Sequence, residues 1–560
     1  KYYDSVLRVL KKTAGKKAVT EYKTYFKKNF NRKSKIKVCD AMFMSYLAMY
    51  VTGHKFSLTD DWESMVKISS RGFDGDVQQI YSTKAYNLKK ENITGMGYFE
   101  LETRECFMKN MKFSEKKCTN EITIRSIGRL YEYIGAEKIW KSVKKDSSIE
   151  AEITAKKNDI LSDTSTVNCR RTTYYVAENG SDENDGKSQE HPWKSLRRVN
   201  SAPLQAGDAV MFKRGDEFRG TIYAKTGVTY TAYGSGNKPV FKTAEKDAAG
   251  EENWILYAKG KDGSKVWRYK EKTVAVGNVF FDNYTSYALK YSPYYKNKTY
   301  YCYEDDKKKF NVKKHLKNLE FFTTADKNCD DVSQKGELYL RCDQGTPGKI
   351  YRNIEFATGE TSIVNANDCT YRNLCFYSSQ GLTRFGTGHD HLRFEYCEVG
   401  YMGGCVCSYD NEGFPQNGGD GITMGGNYNS AKNNYVHDCM DHGCTLELTV
   451  DEQGKSGFTD NVFDGNVIER CDGGFLFANW SKKKKKNGPV FHNVNISNNY
   501  VAWCGYGFGA YINRERQEVD RISAIDNGGN YRYAKYDNVN VTNNVFYISK
   551  YTLVNAYSKG

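Results

Sequence analysis

From about residue 367 onward, short apolar runs alternate with polar corners in a recurring frame. "NNYVHDCMDHGCTLEL" (433–448), "GNVIERCDGGFLFAN" (465–479) and "NNYVAWCGYGFGAYI" (498–512) each hold an Asn, an apolar run, a Cys, a glycine corner and a second run. The shared cysteines Cys439, Cys471 and Cys504 lie 32 and 33 residues apart, and "TNNVFYISKYTLVNA" (542–556) repeats the frame with serine in the cysteine's place. A period of about 30 with two or three strand runs predicts a β-solenoid coil. The runs are β-branched and aromatic, which excludes a helical solenoid. Asparagines at matched corners are expected to bond along the axis, with the cysteines stacked inside as small apolar residues.

The pattern changes along the chain. Residues 1–140 place apolar residues at three-and-four spacing, as in "YYDSVLRVLKKT" and "KVCDAMFMSYLAMYVTG", and predict a helical module. Residues 141–172 are polar without periodicity and read as a linker. Residues 173–241 read as a strand, a Gly/Asn/Asp turn cluster, a short amphipathic helix and further strands. Residues 242–345 break the frame with longer, tyrosine-rich runs such as "KTYYCYE" and "GELYLRC", read as an inserted β-sandwich-like subdomain. Coils carrying the site are expected over 346–560, and their end in mid-pattern points to a portion missing after Gly560.

Charge adds one distinction. Residues 1–165 carry 32 Lys and Arg against 21 Asp and Glu, whereas the remainder is only +4 of the total +15. A basic module on a near-neutral body suits contact with a polyanion, whether cell-wall polymer, nucleic acid or acidic polysaccharide. No run of about 18 apolar residues occurs, so membrane insertion is not expected. The opening lysine suggests a processed or trimmed chain, so the lack of a signal peptide does not argue against a secreted or surface location. The 16 cysteines include no C-x-x-C, which disfavours a zinc cage.

Two stretches carry resemblances. "TYYV", "GSDENDG", "PWKSL" and "GDAVMFKRGDEF", within 173–222, resemble the opening of bacterial right-handed parallel β-helix proteins of the pectate-lyase-like superfamily. With an inserted β-sandwich and the motifs "GGDGI" and "DHG", residues 173–560 resemble the β-helix glycoside hydrolases. The implied fold is mainly β: a right-handed parallel β-helix with an inserted subdomain, preceded by a small α-helical domain. Residues 36–135 resemble a degenerate S-layer homology module, which implies docking to anionic cell-wall polymer and not to nucleic acid. The second motif of many β-helix relatives is Asp-Ala-Gly, but here it is Asp441-His442-Gly443, which brings a histidine to the site.

"NGGDGITMGG" (417–426) sets Asp420 among five glycines. The glycines either form a tight corner or clear room for something bulky. Aligning the coils on Gly421-Ile422, Gly443-Cys444 and Gly474-Phe475 puts Asp420 beside His442. Asp441 and Asp472 follow at the same corner, and Glu447 lies one strand downstream. Coils stand about 4.8 Å apart, so stacked carboxylates fall near the separations that glycosidases use, and crowding like charges raises one pKa. The candidate catalytic residues are therefore Asp420, Asp441, His442 and Glu447. Arg384, His389, Asp472, Tyr409 and Trp480 are the candidate substrate contacts, and the excursion 403–419 is expected to wall a groove. No metal is required, although Ca²⁺ would be expected of a lyase.

Three functions fit: a polysaccharide-degrading glycoside hydrolase acting as a monomer, a lyase or epimerase on uronate-containing glycan using His442 or Arg384, and a non-catalytic glycan-binding surface protein.

Overall fold

The computed structural model describes residues 2–13, 15–29 and 146–555, apart from 303–304, 329–330, 332, 384–387, 410–412, 414, 449–456, 480–489, 508–522, 527–534 and 550–551. The chain divides into two compact units, Lys1–Asp146 and Ser147–Gly560. In the first, the described residues form helices Tyr2–Thr13 and Gly15–Asn29. Val6, Leu10 and Tyr22 bury the faces that their spacing predicted. The S-layer resemblance falls on 36–135, outside the described residues.

The second unit is mainly β, and three of its sheets pair their strands in parallel. One runs through Thr173–Val176, Ala209–Lys213, Thr229–Tyr233, Thr370–Arg372, Arg393–Glu395, Ser430–Lys432 and Val462–Asp464. A second takes Cys375–Tyr377, Glu398–Gly400, Tyr435–His437, Val467–Glu469, Tyr500–Cys504 and Val545–Ser549. The third contains Ile422–Met424, His442–Leu448, Gly473–Asn479, Ser523–Asp526 and Thr552–Asn555. Successive passes of the chain thus extend the first sheet and the second together. From residue 422 each pass also adds one to the third.

Besides the glycines that follow the shared cysteines, further bends flank the second-sheet strands. Asn373 and Ser378, Asn433 and Asp438, Asn498 and Trp503, and Asn543 and Ile548 all hold φ between 49° and 60°. A left-handed residue every five positions turns the chain at the end of each short strand. Asn and Asp suit that conformation because their short side chains bond locally.

The interior is a stack of like residues. Cys439, Cys471 and Cys504 are buried, unbridged and in one register, continued by Ser549 opposite Cys504. Asn434, Asn466, Asn499 and Asn544 form a second file, each accepting the main-chain N–H of the previous member at 2.9 Å. This satisfies buried polar groups that would otherwise cost stability. Tyr230, Tyr371 and Phe394 stack at 5.5 and 5.0 Å.

Two boundaries differ from expectation. Ser147–Ser162, read as linker, is a helix of the second unit. Its Ile153 and Ile160 bury against Tyr435, Val467 and Tyr547. Lys156 donates to Asn433 Oδ1 at 2.8 Å, and Lys157 pairs with Glu469 at 3.3 Å. The insertion forms a largely antiparallel seven-stranded sheet with a three-stranded one beside it. It extends past residue 345, because Ile354–Thr358 pairs antiparallel with Val276–Phe281. Fully buried Glu355 ties this sheet to Arg219 and Lys242, at 3.0 and 3.2 Å.

Candidate active site

The glycines around Asp420 bring backbones together. A Cβ on Gly419 would lie 2.3 Å from Gly404 Cα, and one on Gly421 would lie 2.3 Å from Gly443 O. One on Gly443 would meet Ile468 Cγ2 at 2.4 Å. The side chains are missing because adjacent coils occupy their space. The run is thus a close-packing device, and the expectation of room cleared for substrate is not met at these positions.

That packing sets Asp420 beside the next coil. The register Ile422↔Cys444 carries back to Asp420 and His442. The His442 main-chain N–H donates to Asp420 Oδ1 at 3.0 Å. The His442 ring is buried, with Nδ1 2.8 Å from Asp441 Oδ1 and 3.9 Å from Asp420 Oδ1. One donor atom from each of the three residues lies within 4.8 Å of the others. Glu447, also buried, adds its charge to the same place.

Exposure separates the two aspartates. The Asp441 side chain is 14 % exposed and that of Asp420 8 %. Burial, followed by the charges of Glu447 and Asp441, holds the Asp420 carboxyl well above the usual carboxylate range, and the His442 N–H only partly opposes this. The site thus joins a carboxyl whose protonated form is favoured to a less buried carboxyl beside an imidazole. Such a pair can deliver a proton and offer a nucleophile or base. Two carboxylates and an imidazole also make a possible cation site. The nitrogen donor departs from the oxygen shell that calcium takes, so the trio does not match the Ca²⁺ expected of a lyase.

The remaining candidates lie apart. Asp472 follows Asp441 in register, its N–H bonded to Asp441 O at 2.9 Å, but its side chain is only 2 % exposed. Burial argues against Asp472 as a surface contact for substrate. His389 lies beyond the other end of the strand that Asp420 precedes, its N–H bonded to Gly425 O at 2.7 Å. Tyr409 belongs to an antiparallel hairpin, Cys405–Tyr409 with Pro415–Gly418, formed by the predicted excursion. Its ring packs 5.5 Å from Tyr295 of the insertion. Arg384 and Trp480 fall outside the described residues. The same hairpin adds a residue not foreseen, Cys407, whose Sγ lies 3.7 Å from Gln380 Nε2. Its C-x-C spacing was visible, but only the hairpin carries it to the carboxylates.

His437 ends a strand of the second sheet and Asp438 is the bend residue that follows it. The His437 ring lies 2.8 Å from Asp438 and 3.3 Å from Glu398. Arg470 closes on Asp438 at 2.7 Å.

No family model matches the chain. A lacto-N-biosidase of Bifidobacterium longum subsp. longum is 37% identical over 91 residues, which is 14% of this chain and 6% of that protein. The chain therefore matches only a small part of that relative's length. A GH136 lacto-N-biosidase structure from Eubacterium ramulus aligns over 99% of this chain and 88% of its own, at 12% identity and TM-score 0.33. The complex of XylC with xylose aligns over 63% and 56%, at 14% identity and TM-score 0.35. The structure of pectate lyase Pel9A covers 60% and 64%, at 12% identity and TM-score 0.24.

Proposed function

We propose that the second unit is a right-handed parallel β-helix and that the protein is a secreted or surface-bound glycoside hydrolase. In this reading Asp420 is the general acid and Asp441 the nucleophile. The observation that carries it is a buried carboxyl, with burial and neighbouring charge both favouring its protonated form, within 4.8 Å of a more exposed one. Retaining glycosidases hold their two carboxyl groups about 5–5.5 Å apart. Asp420 protonates the departing glycosidic oxygen while Asp441 bonds to the anomeric carbon. Water, deprotonated by Asp420, then releases the sugar and restores both carboxyls. His442 orients Asp441 and stabilises its charge, while Glu447 keeps Asp420 protonated until it is needed. The 91-residue similarity to a lacto-N-biosidase supports a carbohydrate substrate. The basic first unit would hold the enzyme to anionic cell-wall polymer.

Product analysis on a panel of glycans tests the reading. A hydrolase leaves new reducing ends without ultraviolet-absorbing sugars. Unsaturated products would replace it with a lyase, and an intact polymer with a binding protein.

A further inference from the structure

The first bend of each coil forms its own column, Asp368, His391, Tyr428, Asp460, Asn493 and Asn538, with φ between 52° and 60°. Successive members are tied by main-chain bonds, or stand beside residues that are. The Tyr428 N–H, for example, bonds to Thr459 O at 2.8 Å, and that of Asp460 to His492 O at 3.0 Å. Four of the six are Asp or Asn, which tolerate this conformation. Histidine also visits this region more often than most residues, which leaves Tyr428 as the strained member, at a cost on the order of 1–3 kcal/mol.

Two other aromatic residues in this conformation are packed against rings. Tyr401, at φ 55°, stacks 4.1 Å from Tyr284, and Trp503, at φ 60°, meets Tyr547 at 6.0 Å. His391 and Tyr428 instead stack on each other at the surface, ring centroids 5.0 Å apart and 10° from parallel. Tyr428 is 52% exposed and the His391 side chain 47%. His391 Nδ1 is held 3.3 Å from Asp368 Oδ1, which steadies the pair from behind.

The far side of Tyr428 meets a step. The next two members, Asp460 and Asn493, are shorter, and Asn493 Nδ2 donates to Asp460 Oδ1 at 3.0 Å. Among the described residues, no ring covers this second face of Tyr428. An apolar ring face beside a carboxylate and an amide matches the two sides of a pyranose, its C–H face and its hydroxyls. The exposed Tyr428 ring reaches beyond these shorter side chains, and a sugar ring can lie on that outer part of its face.

We propose that Tyr428, backed by His391 and Asp368, forms with Asp460 and Asn493 a second glycan-binding subsite. It lies at the opposite end of the strand Ile422–Met424 from Asp420 and takes a neutral pyranose on the Tyr428 face. The proposal rests on the carbohydrate reading above, but not on catalysis. The subsite holds polymer near the carboxylates without touching the bond that is cut.

Native gel electrophoresis of the full chain through xylan, arabinogalactan, rhamnogalacturonan and mucin tests it. Tyr428→Asn is the chosen variant because Asn accepts φ near 60° and the fold is kept. Retardation of the wild type in at least one gel is expected, weakened at least tenfold by Tyr428→Asn and by Asp460→Gly, which also accepts a left-handed φ, and retained by Asp420→Asn. Cleavage of a short soluble oligosaccharide stays unchanged in Tyr428→Asn. Equal retardation of Tyr428→Asn and wild type overturns the subsite, as does a wild type that no gel retards. Hydrolysis without retardation removes the subsite and leaves the hydrolase. Retardation lost in Tyr428→Asn without any hydrolysis does the reverse.

Discussion

Asp420 accepts the main-chain N–H of His442 at 3.0 Å across two adjacent coils. The bond orients the carboxyl, and the same residue turns its ring toward Asp441. One residue therefore fixes both aspartates, because the glycines on either side let the coils close.

Asp420 should cost stability at neutral pH. Its folded pKa is raised, first by burial and then by Glu447 and Asp441. The native state therefore holds a proton that the unfolded chain releases above about pH 4, and stability falls as pH rises from there. Asp420→Asn keeps an acceptor for the His442 N–H and removes the ionisation. Its melting temperature should exceed that of the wild type at pH 7 and match it near pH 4. A lower melting temperature at both pH values would contradict the assignment.

The asparagine file should be sensitive at its middle. Asn466 accepts from Asn434 at 2.9 and 3.0 Å and donates to Ala431 O and Asn499. Asn466→Ala leaves several buried groups without partners, each worth about 1–3 kcal/mol. Denaturant unfolding should register a loss of at least 3 kcal/mol, and a loss below 1 would mean the file is dispensable.

His437 should protect the fold below neutral pH and fail in alkali. Burial alone would lower its pKa, but Asp438 and Glu398 override this and push it up to about 9. The stabilisation is complete below the unfolded pKa of about 6.5 and is lost as pH climbs through about 9. His437→Gln should melt lower at pH 6 and approach the wild type at pH 10. Curves separated equally at both values would refute a charged imidazole.

The helix Ser147–Ser162 should behave as part of the β unit. Ile160 is fully buried there, so Ile160→Ala should cost about 2–5 kcal/mol. No change in the unfolding of the second unit would restore the linker reading.

The legible parts of the fold were those fixed by repetition. Cys439, Cys471 and Cys504 recur at one place in the frame, and a shared interior follows from that. Asp420 and His442 became neighbours as soon as Gly421 and Gly443 were stacked. The helix stayed hidden because Ile149, Ile153 and Ile160 sit among Lys156, Lys157 and Glu152, whose partners come from distant coils. The meaning of the glycines was hidden for a similar reason. Sequence shows a missing side chain, but only packing shows that Gly404 and Gly443 fill the space. The left-handed bends escaped notice because Asn433 and Asn498 look like ordinary corner residues until their φ is known.

The central claim is that Asp420 donates the proton in glycoside cleavage. Turnover of Asp420→Asn on the glycan that the wild type cleaves tests it most directly. Loss of an essential general acid removes about 10²–10⁴-fold in rate, so turnover should fall by at least about a hundredfold while the protein stays folded. Turnover within a factor of two of the wild type would contradict the account.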